Sequence, residues 1–172
     1  MTSLHHYTPS LTAIDPRGLS VRRVNYHRLS VHEPPQPRIH QSRYDTRGSL
    51  VQQWDPRLLA REAITPEAQP NLRYLSSLSG QIVKTDSVDS GWHVTLCGTG
   101  LQTLATWDAR GNHQRFEYDT HARLMAIHEQ LSNDPQPRCI ERFTYGKPQP
   151  RINSTNQCGR LVRHDDPAGA VL

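Results

Sequence analysis

Long apolar runs are missing from this 172-residue chain. No stretch approaches the roughly 20 residues that a membrane-spanning helix needs, which excludes a helical membrane protein. The opening, MTSLHHYTPSLTAIDPRG, has no basic segment followed by an apolar one. A Sec-type signal peptide is therefore not visible, and the expectation is synthesis in the cytoplasm, with any release by another route, as part of a secreted complex. Cysteine is scarce. Cys97, Cys139 and Cys158 are odd in number, widely spaced and free of any C-x-x-C pair, which excludes a disulfide framework. Core-forming residues are few as well: the hydrophobic fraction is 34%, and Leu, Ile, Val and Phe make up about one fifth of the chain, near the composition where burial stops offsetting chain entropy. Net charge is only +4, too low for a typical disordered chain. These facts predict a folded but thinly cored protein that needs a neighbour.

Lysine is almost absent. Only Lys84 and Lys147 stand among the 20 basic residues, and the rest are arginine, whose planar guanidinium bonds carboxylates and phosphates two-pronged. The arginines are scattered, with Arg22-Arg23 the one adjacent pair. The expectation is that they pair with Asp and Glu across strands. Nucleic acid is not expected as a partner, because its footprint is a clustered patch or stripe. An arginine-rich sheet face holding nucleic acid or another acidic polymer stands as the alternative function.

Catalytic signatures are also missing. Ten histidines include no HExxH and no convincing ligand spacing. There is no GxSxG, and Gly98-Thr-Gly100 lacks the third glycine and the helix of a phosphate cradle. Asp165-Asp166 and the dispersed aspartates could do acid–base work only if buried together. No enzyme activity, cofactor or metal is expected. Cys158 is the cysteine expected to be exposed.

What the chain does have is a repeated spacing. An Asp or Asn is followed three residues on by Gly, then by an apolar residue. It occurs at Asp15–Gly18, at Tyr44-Asp45–Gly48, at Trp107-Asp108–Gly111, at Asn156–Gly159 and at Asp166–Gly169. A degenerate copy, Tyr118-Asp119–Ala122, has alanine for glycine. An aspartate or asparagine can bond the backbone two residues on and open a turn. Glycine supplies the positive φ that ends it. The flanking aromatic and aliphatic residues then fall on paired strands. Each copy thus reads as strand, tight turn, strand.

Between copies the pattern has period two. Trp92, Val94 and Leu96 alternate with His93, Thr95 and Cys97, and Phe116 and Tyr118 alternate with Arg115 and Glu117. Cys139, Glu141, Phe143 and Tyr145 are expected on one face. Asn71–Gly91 reads as two strands turning at Ser79-Gly80. Helical patterning is confined to DPRLLAREA, where Asp55 can cap and Pro56 suits the first position. Prolines at 34–37, 65–70, 134–137 and 148–150 break strand ladders. The expected fold is all-β: antiparallel hairpins in a curved open sheet with one short helix, in a single region over residues 1–172.

The segments YDTRGSL, WDARG with FEYDTHARL, and NQCGRLVRHDDPAG resemble RHS/YD repeats. The order TPSLTAIDPRGLSVRRVNYHR, YDTRGSLVQQWDPRL, NLRYLSSLSGQIV and NQCGRLVRHDDPAG resembles the amino-terminal region of the C subunit of insecticidal toxin complexes. The resemblance covers nearly the whole chain. It implies a structural role, because in that family B and C subunits together form a hollow shell of spiralling β-sheet around a toxic carboxy-terminal region. It implies a B-type subunit or another RHS-repeat chain as partner, bound through strand edges. The RHS-associated core and the toxin region, which lie far downstream in that family, are not expected within these residues.

Overall fold

The computed structural model describes residues 4–65, 67–147 and 157–172. Asn156 and the proline loop at 148–150 lie outside the described residues. Two compact units divide the chain, Met1–Trp92 and His93–Leu172.

The first unit holds strands β1 (Leu11–Ile14), β2 (Ser20–His27), β3 (Gln36–Tyr44), β4 (Leu50–Trp54), β5 (Leu72–Ser76) and β6 (Ile82–Ser87). Each pairs antiparallel with its sequence neighbour. Helix α1 (Pro56–Glu62) interrupts the series between β4 and β5. Asp55 caps it, its carboxylate accepting the amides of Arg57 and Leu58, and Pro56 opens the first turn, where its missing N–H costs no bond. The helix is anchored to the sheet by Arg43 of β3, whose guanidinium takes both Glu62 oxygens at 2.7 and 2.8 Å and lies 5.1 Å from the Trp54 ring centre.

The unit boundary falls within β7 (Gly91–Cys97), and the second unit holds the rest of that strand with β8 (Thr103–Asp108), β9 (His113–Tyr118), β10 (Leu124–Gln130), β11 (Arg138–Tyr145), β12 (Leu161–Asp166) and β13 (Gly169–Val171). The pairing is again antiparallel and sequential. Directly opposed aromatic pairs stitch it. Trp107 stacks on His113 at 4.9 Å and Phe143 on His164 at 4.5 Å, contacts that stabilise a sheet. The fold is the expected all-β array of antiparallel hairpins, open, with one helix.

The thin core predicted from composition is what is found. Among the described residues only Trp54, Ala105, Ala126 and Pro70 are buried. The chain exposes 12733 Å², against roughly 8600 Å² for a compact protein of its mass.

Two expectations are corrected. Cys139 does not share a face with Glu141, Phe143 and Tyr145. A one-residue bulge at Ile140 sets Cys139 opposite His128 while Glu141 sits opposite Ile127, and the extra residue reverses which side each partner faces. The arginines, too, pair mostly at short range. Arg17, Arg47, Arg57 and Arg123 bind the aspartate of their own turn, and Arg115 and Arg163 bind a carboxylate two residues along the same strand. Arg138 with Glu129 is the arginine pair that crosses between strands among the described residues. A turn aspartate sits within easy reach of the guanidinium two or four residues on, so the local pair costs less chain ordering than the distant one.

Candidate functional site

The turns are where the recurrent residues meet. At Asp45 the backbone N–H donates to the Ser49 carbonyl at 2.9 Å, and the Gly48 N–H returns to the Asp45 carbonyl at 3.1 Å. The carboxylate adds two bonds, with Oδ1 accepting the amides of Arg47 and Ser49 at 2.9 and 2.8 Å. Gly48 has φ +87°, the left-handed backbone that a Cβ penalises. Asp15–Gly18, Asp108–Gly111 and Asp119–Ala122 repeat the same four bonds. Ala122 adopts φ +58° in spite of its Cβ. Asp166 differs: it faces Gly169 across a two-residue loop, and its Oδ1 accepts the Ala168 and Gly169 amides.

The aspartates are held ionised. Amide bonds, first from Leu19, Ser49 and Asn112 respectively, keep Asp15, Asp45 and Asp108 below the ordinary carboxylate range. The Arg123 guanidinium, followed by the Arg123 amide, brings Asp119 down to about 2. A carboxylate committed to backbone amides is fixed in its acceptor role and has no proton to deliver near neutrality.

Strand order sorts the turns onto two edges. In the first unit Asp15–Gly18 and Asp45–Gly48 lie along one edge. In the second unit Asp119–Ala122 and Gly159 lie on one edge, and Asp108–Gly111 and Asp166–Gly169 on the opposite edge. The linear spacing does not distinguish them.

Tyrosines tie three of the turns to the previous hairpin on the same edge. The Tyr44 hydroxyl donates to the Ser20 carbonyl at 3.1 Å, Tyr118 to Thr103 at 2.7 Å and Tyr145 to Leu124 at 3.0 Å. Ser20, Thr103 and Leu124 each stand two residues beyond the left-handed position of that hairpin, at Gly18, Leu101 and Ala122. Arginines run the other way. Arg17 donates to the Asp45 carbonyl at 2.8 Å and Arg123 to Gly159 at 3.3 Å, and Arg123 also lies 4.4 Å from the Tyr145 ring centre.

The reversal expected at Ser79-Gly80 is found and joins this series, whereas sequence reading misses Gly98–Leu101 and the Gly146 end of the Gly159 corner. Ser77–Gly80 and Gly98–Leu101 make the same pair of backbone bonds without an aspartate. The Gly159 N–H donates to the Gly146 carbonyl, and the Gly146 N–H to the Arg160 carbonyl, so Gly146 stands where aspartate stands elsewhere, ten residues farther from its glycine than usual. The signal for it is Tyr145, which occupies the place of Tyr44 and Tyr118. A second unnoticed regularity is an extra strand residue three positions after the turn, at Val21, Val51, Val83, Leu104, Met125 and Val162, where the register shifts by one. All six are apolar and half-buried.

No constellation for chemistry is assembled among the described residues. No group of three His, Cys, Asp or Glu could hold a metal ion. A depression of about 660 Å³ is lined in part by Glu141, Asp165 and Asp166. Asp165 is chelated by Arg163 at 2.7–2.9 Å, and Glu141 meets His164 at 3.1 Å.

No protein-family model matches the chain. Two curated proteins of Yersinia entomophaga do. Toxin subunit YenC1 is 30% identical over 98% of this chain, and Toxin subunit YenC2 is 32% identical over 95% of it. The crystal structure of TcdB2-TccC3 superimposes with TM-score 0.89 at 32% identity over 97% of this chain. The chain is an RHS/YD-repeat region of the toxin-complex C-subunit type. It spans 18% of the length of each curated relative and 8% of the matched TcdB2-TccC3 chain. A Photorhabdus luminescens toxin-complex pore structure matches equally well, with TM-score 0.88. No helix among the described residues is long and apolar enough to cross a membrane.

Proposed function

We propose that this C-subunit region is a wall segment, without catalytic activity, of a toxin shell that encloses a toxic carboxy-terminal region. It joins a B-type subunit or another RHS-repeat chain through strand edges and acts as part of a secreted complex. The Asp–Gly turns are the corners of the wall, and residues 1–172 form one repeat region. The supporting observation is surface. The chain exposes 12733 Å², roughly 4000 Å² beyond a compact protein of equal mass. Obligate interfaces bury about 1000–2500 Å² or more on each partner, so an excess of this size fits a surface meant to be covered. The likeness to a TcdB2-TccC3 complex supports the same reading.

Co-expression with a B-type subunit tests it. The expected result is co-purification in one peak on size exclusion, with the chain alone self-associating as its concentration rises. A soluble, thermally stable monomer that ignores the B-type subunit would overturn the proposal.

A further inference from the structure

Strands β1 to β4 contain no aspartate or glutamate. They carry Arg22, Arg23, Arg38 and Arg43, and Arg43 is taken by Glu62. Arg23 and Arg38 have no carboxylate at ion-pair distance among the described residues. The register places both on one face. Thr12, Arg23 and His40 form a row across β1, β2 and β3, and Arg38 follows two residues before His40 on the same strand. His27 shares that face, and all four basic side chains are exposed. The helix lies on the other face, with Ile39, Gln41 and Arg43. There the next row is apolar: Leu11, Val24 and Ile39.

Both rows end at β1, which among the described residues pairs on one side only, with β2. Its sequence LTAI is uncharged and exposed throughout, Leu11 by 50% and Ile14 by 66%. None of the usual guards of a free edge, a lysine, a proline or an inward charge, is present in it. Two strand spacings, roughly 9.6 Å, would separate Arg23 from a new neighbour of β1. The short Thr12 side chain lies between them and leaves room for a guanidinium and a carboxylate to meet.

We propose that β1 receives an extended partner segment of alternating acidic and apolar residues, with carboxylates along the Thr12–Arg23–His40 row and apolar side chains beside Leu11. This rests on the edge-pairing reading above and specifies the partner's chemistry. An acidic peptide is favoured over nucleic acid because the basic row is aligned with strand backbone groups left to be paired, whereas phosphate binding would need no edge.

The test uses the full chain and a labelled eight-residue peptide of alternating valine and glutamate, followed by fluorescence anisotropy at low salt. A valine–lysine peptide is the comparison, and oligothymidylate is the competitor. Attraction of the exposed Arg23 for glutamate and its repulsion of lysine each shift binding by up to about fivefold, so about tenfold preference for the glutamate peptide is expected. The double variant Arg23→Glu, His40→Glu should reverse the preference, an outcome that an unfolded protein cannot mimic. The milder Arg23→Gln should reduce it to about threefold. Equal binding of both peptides would overturn the acidic specification and leave edge pairing standing. Binding of neither peptide while a B-type subunit still associates would overturn the inference alone, and loss of both would sink the shell reading too. Displacement of the peptide by oligothymidylate would overturn the inference in favour of a nucleic-acid face.

Discussion

Asp45–Gly48 and Asp119–Ala122 have the same backbone bonds, at 2.9–3.1 Å, and the same left-handed fourth position, yet one carries glycine and the other alanine there. A reciprocal exchange isolates the conformational cost. Gly48→Ala adds a Cβ whose nearest neighbour is Leu19 Cδ1 at 3.6 Å, an ordinary contact, so no clash enters. The left-handed backbone costs an L-residue about 1–2 kcal/mol. Loss of glycine's freedom in the unfolded chain returns about 0.4–1 kcal/mol. The difference is a destabilisation of about 0.5–1 kcal/mol for Gly48→Ala and an equal stabilisation for Ala122→Gly. Urea unfolding, followed by tryptophan fluorescence on the complex with a B-type subunit, reads both, and peptide-resolved hydrogen exchange at residues 119–123 reads the second locally. Ala122→Gly should slow local exchange about two- to fivefold. If both variants shift stability in the same direction, the left-handed position is not what these turns pay for, and the equivalence of the two corners fails.

Tyr118→Phe removes the 2.7 Å bond to the Thr103 carbonyl and should cost about 0.5–1.5 kcal/mol in the same urea assay, with no loss if the hydroxyl is merely solvated. Gly146→Ala should disrupt far more than Gly18→Ala, because its Cβ would stand against the Gln157 carbonyl whereas Gly18 has nothing within 4 Å; equal yields of soluble complex would contradict this. The folded-state pKa of Asp119, about 2, lies below the unfolded value of roughly 3.9. Its stabilisation is therefore present above about pH 4 and lost as pH falls towards about 2. Asp119→Asn should flatten that part of the acid-unfolding curve, and an unchanged curve would refute the assignment.

Much of this fold is legible in the linear chain because its elements are local. Asp45 bonds amides two and four residues on, Gly48 relieves a steric cost of its own backbone, and Asp55-Pro56 starts a helix without reference to anything distant. Period-two alternation around Phe116 and Tyr118 then follows from strand geometry alone. The thin core is legible too, since so few large apolar side chains cannot cover two faces of a sheet. The turn series is less fully legible. Ser77 and Gly98 form the same backbone turn with no carboxylate, because the two backbone bonds and the left-handed fourth position are what the reversal requires and the aspartate only reinforces them.

By itself, then, the sequence determined that reversals occur, roughly where they fall, and that strands lie between them, because these depend on contacts within five residues. Tertiary structure alone decided which reversals share an edge, that Gly146 and Gly159 close one corner across an inserted segment, that a bulge at Ile140 carries Cys139 to the other side, and that Arg23 and Arg38 lie together on a face without carboxylates. Those outcomes depend on register, and register is set jointly by both strands of a pair, so no single stretch of chain contains it.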